Sequence, residues 1–432
     1  MRLIIKGGRV IDPCSNTDKL LDLLIEDGII TQIRGSLDDG RWTTDDGLSS
    51  TIIDATGKWV TPGLIDMHVH LREPGHEYKE TIETGSRAAA AGGFTAICCM
   101  PNTYPVNDNQ SVTEFILRKA HDTASVKVYP IAAISKGLNG EELSEFGELM
   151  AAGAVAVTDD GRPVSNPQLM RRALEYAKQF NLPVISHAEE TKLSGSGVMN
   201  EGAVSMRLGL RGIPNAAEAV MVARDILLAE LTKGRLHIAH VSAKESVRLL
   251  REAKARGLSV TAETAPHYFM LTEEAVAGYN TNAKINPPLR EKSDIEAILS
   301  ALQDGTIDVI ASDHAPHSAL EKDVEFDRAA SGIVGLETSL SLSLKLVKDK
   351  ILSPLSLIAK MSTNPAKILG ISGGRISEGA AADITIIDPD ASFIVDAGSF
   401  QSRSRNSLFH GWNLQGKAIL TIVDGKVVFG KE

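Results

Sequence analysis

Apolar and polar positions along this chain follow two different rhythms. Near the N-terminus the apolar residues alternate with polar ones over short stretches, Leu3 to Ile5, Val10 to Asp12 and Asp22 to Ile25, the last followed by Glu26-Asp27-Gly28. Period-2 alternation broken by glycine predicts short strands and turns. The segment from Asp38 to Ser50 is rich in Gly, Asp and Thr and predicts a surface loop. The last stretch repeats the strand texture in Ile384 to Ile387, Leu420 to Val423 and Val427 to Phe429, with Asp424-Gly425 as a hairpin turn. Both ends together predict one composite β-sandwich domain, residues 1–60 with 371–432, since termini usually lie close together at a domain surface.

The middle, residues 61–370, has another pattern. Continuous apolar runs occur at Leu64 to Val69, Phe94 to Cys99, Val126 to Ala132, Ala154 to Thr158, Pro183 to Ser186, Leu236 to Ala239, Ser259 to Ala262 and Asp308 to Ala311. Such runs suit parallel strands buried on both faces. Helical periods lie between several of them, at Thr81 to Ala91, Asn166 to Phe180, Ala216 to Lys233 and Ser242 to Arg256. Eight strands alternating with helices predict an α/β fold, a (β/α)8 TIM-type barrel; a doubly wound open sheet would alternate in the same way.

The residues at the ends of these runs separate the two folds. The first run ends in His68-Val69-His70, the fourth in Asp159-Asp160, the fifth in His187, the sixth in His240 and the eighth in Asp313-His314-Ala315-Pro316-His317; the seventh leads to Glu263 and His267. A parallel barrel carries its chemistry at these C-terminal strand ends. His68 and His70 are two apart on a strand, so both imidazoles face one way and can share a metal ion. With His187, His240, Asp160 and Asp313 they form a ligand set of imidazole and carboxylate without thiolate, which suits Zn, Co, Ni or Mn. Six ligands exceed one tetrahedral ion and point to two ions; one ion with two outer histidines is the alternative. Arg72, two residues past His70, has the planar fork that grips a carboxylate, or forms a surface ion pair. Asn102 and Asn286 come after strand ends and either bind substrate or shape loops. His121 and His410 lie away from strand ends, and His237 is expected to pack against a helix.

Composition narrows the class. A net charge of −10 argues against a nucleic-acid partner but not against a small anionic substrate met by a local cation. No stretch predicts a membrane span, and the N-terminal apolar run is too short for a signal peptide. The three cysteines, Cys14 and the adjacent Cys98 and Cys99, predict no disulfide framework and a cytoplasmic location.

At these residues the chain resembles the amidohydrolase superfamily, and within it the dihydroorotases of the longer bacterial type. The resemblance spans essentially the whole chain. Its carriers are Asp66 to Gly75, Met100-Pro101-Asn102-Thr103, Asp159-Asp160-Gly161, Ser186-His187-Ala188-Glu189, His240-Val241-Ser242, Asn286 to Arg290, Ser312 to His317 and Gly335-Leu336-Glu337-Thr338. It implies two Zn2+ ions per subunit: one on His68, His70 and Asp313, one on His187 and His240, with Asp160 bridging. It implies reversible cyclisation of N-carbamoyl-L-aspartate to (S)-dihydroorotate in pyrimidine biosynthesis, through a metal-bridged hydroxide with Asp313 as general acid/base. Substrate contacts would come from His70, Arg72, Asn102, Asn286, His317, Ser331 and Gly332. A homodimer is expected, with aspartate carbamoyltransferase as a possible further partner.

Two details bear on the resemblance. Relatives that cleave hydantoins or allantoin, and some dihydroorotases, bridge their metals with a carboxylated lysine near the fourth strand; here Val155 to Asp160 contains no lysine, which favours the dihydroorotase type with an aspartate bridge. The family often has Phe where this chain has Ser331, which alters the pocket wall but spares a backbone contact. Spacing alone does not choose between Asp159 and Asp160. The segment Ser318 to Arg328 is charged and reads either as a lid or as a solvated loop. Rival readings are another cyclic amidase, such as allantoinase or dihydropyrimidinase, and a non-catalytic scaffold for the carbamoyltransferase.

Overall fold

A computed structural model describes residues 2–35 and 50–430; the expected loop from Asp38 lies outside the described residues except for Ser50, which opens a strand. Eight strands pair in parallel in chain order: Leu64–Val69, Phe94–Cys99, Lys127–Pro130, Val157–Thr158, Val184–Ser186, Leu236–Ile238, Val260–Thr264 and Val309–Ile310. The third and fourth join through a parallel bridge from Ala132 to Val157, and the eighth meets the first where Val69 bridges His314. There the His70 amide donates to the His314 carbonyl at 2.9 Å, so the sheet closes into a barrel.

Helices cover the outside, which is why the strands read as unbroken apolar runs. The expected helices form as Ile82–Ala91, Pro167–Lys178, Asn215–Thr232 and Lys244–Ala255. Thr81 caps the first through its hydroxyl, and Asn166 caps the second ahead of a proline at the first helical position. The barrel interior is packed by Met67, Cys98, Ile131, Ala156, Ile185, Ala239 and Val309. Ile368 and Leu369 join that cluster from a helix whose Asn364 side chain donates to the Asp308 carbonyl at the start of the eighth strand. This plugs the N-terminal end and leaves the C-terminal end open for chemistry.

Strands from both ends of the chain build one 8-stranded sheet. Its two halves meet where Trp59–Pro62 pairs with Ile384–Ile394 antiparallel and with Arg2–Asp12 in parallel. These strands are longer than the alternation suggested. Arg2–Asp12 continues through a register shift between Ile5 and Gly8, and Ile384–Ile394 through one between Asp388 and Ser392, where Pro389 cannot donate to the ladder. The sheet braces the barrel directly. The Thr385 hydroxyl donates to the Gly93 carbonyl at 2.6 Å, and the Thr421 hydroxyl to that of Ala90 at 2.8 Å.

One buried carboxyl ties the first and eighth strands together under the open end. Asp66, wholly buried, accepts the amides of Ser312 at 3.0 Å and of His68 at 3.1 Å, and burial pushes its carboxyl up to about 7. Asp66→Ala strands two buried amides, each costing about 1–3 kcal/mol. Urea unfolding should show a loss of at least about 2 kcal/mol; Asp66→Asn, which keeps an acceptor, should retain most of the stability.

Candidate metal centre

Each candidate ligand stands where a strand stops. His68 and His70 leave the first strand across a register shift between Asp66 and Val69, a bulge that re-aims side chains at the barrel mouth. Their Nε2 atoms lie 3.4 Å from Asp160, His68 on Oδ1 and His70 on Oδ2. His187 Nδ1 and His240 Nε2 approach Asp160 Oδ1 at 3.6 and 3.5 Å and lie 2.7 Å from each other. Asp313 Oδ1 is 3.4 Å from His68 Nε2 and 3.5 Å from His70 Nε2. Two groups of ligand atoms result, His68–His70–Asp160 and Asp160–His187–His240, sharing one carboxylate. Asp159 is turned away and holds Ser135 instead, accepting its amide at 2.9 Å and its hydroxyl.

The chemistry of this cluster fits divalent cations. His68 Nε2 and Asp160 Oδ1 are buried and have no hydrogen-bond partner, a costly arrangement that a bound cation relieves. Burial opposes the charged form of His68, but Asp160, Glu263 and Asp313 outweigh it and raise its ring well above the usual histidine range. Burial is likewise overcome at His187, where Asp160 and Glu189 lift the ring to about 9. His70 differs: burial and the Arg72 cation lower it. Backbone strain gathers here too, with Arg72, His240 and Asp313 at φ of 63°, 34° and 48°, a region that costs non-glycine residues of order 1–3 kcal/mol each.

Above the cluster lies a cavity of about 300 Å³. Every residue expected from the sequence to touch substrate lines it: His70, Arg72, Asn102, Asn286, His317, Ser331 and Gly332. Their free valences are uneven. Asn102 Oδ1 is engaged with His70 Nδ1 at 2.9 Å, so its amide hydrogens remain. Asn286 Nδ2 donates to Glu189 at 2.9 Å, so its carbonyl remains. Arg72 donates Nε to the Pro316 carbonyl at 3.2 Å, and among the described residues no carboxylate reaches it within 4 Å. His317 Nε2 donates to the Ser331 carbonyl at 2.8 Å, so the engaged group of Ser331 is backbone. Gly332 sits at φ +134°, and a Cβ there would come within 2.6 Å of the Ala315 side chain.

The structure adds detail to two expectations. Both ring nitrogens of His237 are engaged by the neighbouring strand: Nδ1 pairs with Thr261 Oγ1 at 2.8 Å and Nε2 with Glu263 at 3.3 Å. The segment from Ser318 to Arg328 is mostly exposed, as a solvated stretch would be, but it is anchored at two points. It holds a short helix, Ala319–Lys322, whose buried Lys322 donates to the carbonyls of Ala330 and Thr281 at 2.7 and 3.1 Å, and Phe326 is buried after it. Glu263, Glu189 and Asp66 all contact ligands or their strands without having carried any expectation of that. Alternation marks a polar residue in a strand end, but not which imidazole it meets across the barrel.

Comparison with known proteins agrees in fold and family. The family model for dihydro-orotase-like proteins matches residues 57–246. The chain is 58% identical over 429 residues to a dihydroorotase of Geobacter metallireducens, covering 99% of this chain and 100% of the relative. It is 58% identical over 432 residues to a dihydroorotase of Geotalea daltonii, covering 100% of both. Among solved structures it is similar to the L-hydantoinase (dihydropyrimidinase) of Arthrobacter aurescens, with a TM-score of 0.88, 26% identity and coverage of 99% of this chain and 96% of that one.

The raised histidines set a sign for metal uptake. His68 and His187 carry protons at neutral pH in the metal-free chain, and ligation needs neutral imidazoles. Titration calorimetry of divalent metal at neutral pH, in buffers of different ionisation enthalpy, should show net proton release. Affinity should rise with pH towards about 9. Heats independent of the buffer would contradict this protonation pattern.

Proposed function

We propose a reaction from a plain premise: this chain belongs to the dihydroorotase family. It is a cyclic amidohydrolase of pyrimidine biosynthesis, built on the barrel-and-β-sheet fold shared with hydantoinases. The reaction we assign is the reversible cyclisation of N-carbamoyl-L-aspartate to (S)-dihydroorotate with loss of water. The observation that carries it is Arg72. This guanidinium is 8% exposed, lines the cavity two residues beyond a metal-ligand candidate, and has no carboxylate of its own within 4 Å among the described residues. A buried cation of that kind needs an anion, and the substrate carboxylate supplies one bidentately.

In this reading His68, His70 and Asp313 would hold one Zn2+, His187 and His240 would hold a second, and Asp160 would serve both. When bound, the ions lower the pKa of a water towards neutral and stabilise charge developing on the amide oxygen. The remaining work belongs to side chains. Asp313 is buried against two imidazoles, which overcome burial and keep its carboxyl below the usual range, so it starts as a base. It takes the proton of the attacking water and returns it to the ring nitrogen as the amide bond breaks; ring closure runs the same transfers backwards. The carbonyl of Asn286, the amide of Asn102 and the His317–Gly332 wall orient the ring. Residues 61–370 are the hydrolase unit and 1–60 with 371–432 the β unit that braces it. The homodimer, the carbamoyltransferase contact and the cytoplasmic address belong to the same proposal. The address rests on a sequence with only three cysteines, too few for a disulfide framework.

Three measurements test it. Asp313→Asn, reconstituted with metal, should lose about 10²–10⁴-fold in turnover; near-normal turnover would sink the acid/base role. Arg72→Met should raise the Michaelis constant for dihydroorotate by about tenfold or more, equivalent to about 1.4 kcal/mol, and an unchanged constant would remove Arg72 from the carboxylate. Dihydroorotate, hydantoin and allantoin assayed side by side should single out dihydroorotate. A preference for either of the others would replace the substrate assignment.

A further inference from the structure

The two halves of the metal centre are buttressed differently from behind. On the first half, His68 Nδ1 meets Glu263 Oε1 at 2.5 Å. Glu263 Oε2 meets His237 Nε2 at 3.3 Å, and His237 Nδ1 meets the Thr261 hydroxyl at 2.8 Å. His68, His237 and Glu263 are all at most 1% exposed, so the contacts among these three are sealed inside the barrel, and only Thr261 at the far end is partly exposed. On the second half, His187 turns Nδ1 towards Asp160 and offers Nε2 to Glu189 Oε2 at 3.3 Å. The Glu189 side chain is 18% exposed and is shared with Asn286, a cavity residue. Of the six candidate ligands, His68 alone stands behind the cavity lining; His70, Asp160, His187, His240 and Asp313 all reach it.

We infer that Glu263 and His237 are positioning residues that make the two metal positions unequal: the ion on the His68–His70 side is held more tightly and leaves last, and the ion on the His187–His240 side exchanges more readily. The buttressing carries this. A ligating histidine whose outer nitrogen is bonded to a carboxylate has a fixed ring orientation and a more basic inner nitrogen, and loss of such a partner costs about 10–100-fold in metal affinity. Glu263 serves His68 in a dry site and is itself held by His237, while Glu189 is partly solvated and divided between His187 and Asn286.

The inference rests on the reading that the centre holds two divalent ions, and the test separates the two ideas. Zinc is removed from the full-length, zinc-loaded chain by competition with a chromophoric chelator, and cobalt spectra track the same titration. The wild-type chain should release its zinc in two steps. Glu263→Gln should weaken the tighter step by about 10–100-fold and leave the weaker one unchanged; Glu189→Gln should weaken only the other. Should Glu263→Gln fail to fold, as read by circular dichroism of the metal-free chain, His237→Gln takes its place with a smaller loss confined to the tighter step. Equal losses at both steps, or none at the tighter one, overturn the inference while leaving a two-metal centre intact. Uptake of a single zinc by the wild-type chain overturns both.

Discussion

The structure turns on the carboxylate of Asp160. It lies 3% exposed with four imidazole nitrogens between 3.4 and 3.6 Å from its oxygens, and one of those oxygens has no hydrogen-bond partner. Moving an ion into such surroundings costs several kcal/mol unless partners compensate. Without metal, the raised His68 and His187 rings offset part of this cost but leave His68 Nε2 and Asp160 Oδ1 without hydrogen bonds. A cation shared between the two histidine pairs would take the place of those protons and meet both open atoms. The arrangement therefore suits metal.

Much of the barrel can be understood as the means of bringing six candidate ligands from five strand ends to one place. The first strand supplies two histidines through a bulge, and the fourth, fifth, sixth and eighth supply one ligand each. Asp66 fixes the first strand to the eighth, and so fixes His68 relative to Asp313. Strained backbone at Arg72, His240 and Asp313 shows that the ligand geometry is imposed on the chain by its surroundings. The terminal sheet contributes at a distance: its threonines grip the turn that leads into the second strand.

The barrel was largely legible from the sequence because a parallel strand covered on both faces has to be apolar throughout. The eight runs correspond to the eight strands, and helix starts were marked by Thr81 and by Asn166 with Pro167. The candidate ligands were legible because His and Asp at strand ends break those runs, and the structure brings them together. Two things were not, and a third was legible only through the family pattern. The resemblance implied Asp160 over Asp159 where spacing does not choose, because adjacent residues differ only in which face of the strand end they occupy. The Glu263–His237 pair was invisible because its partners come from the first and sixth strands, 195 residues away in the case of His68. The lengths of Arg2–Asp12 and Ile384–Ile394 were hidden by bulges, which interrupt alternation while the strand continues.

The central claim is that Asp160 joins two metal ions at close range. Electron paramagnetic resonance of the chain loaded with Mn(II) tests it most directly, since imidazole and carboxylate ligands accept this ion. A carboxylate bridge should give the multiline spectrum of two exchange-coupled ions, lost in Asp160→Ala. The spectrum of an isolated Mn(II) ion in the fully loaded wild-type chain would contradict it.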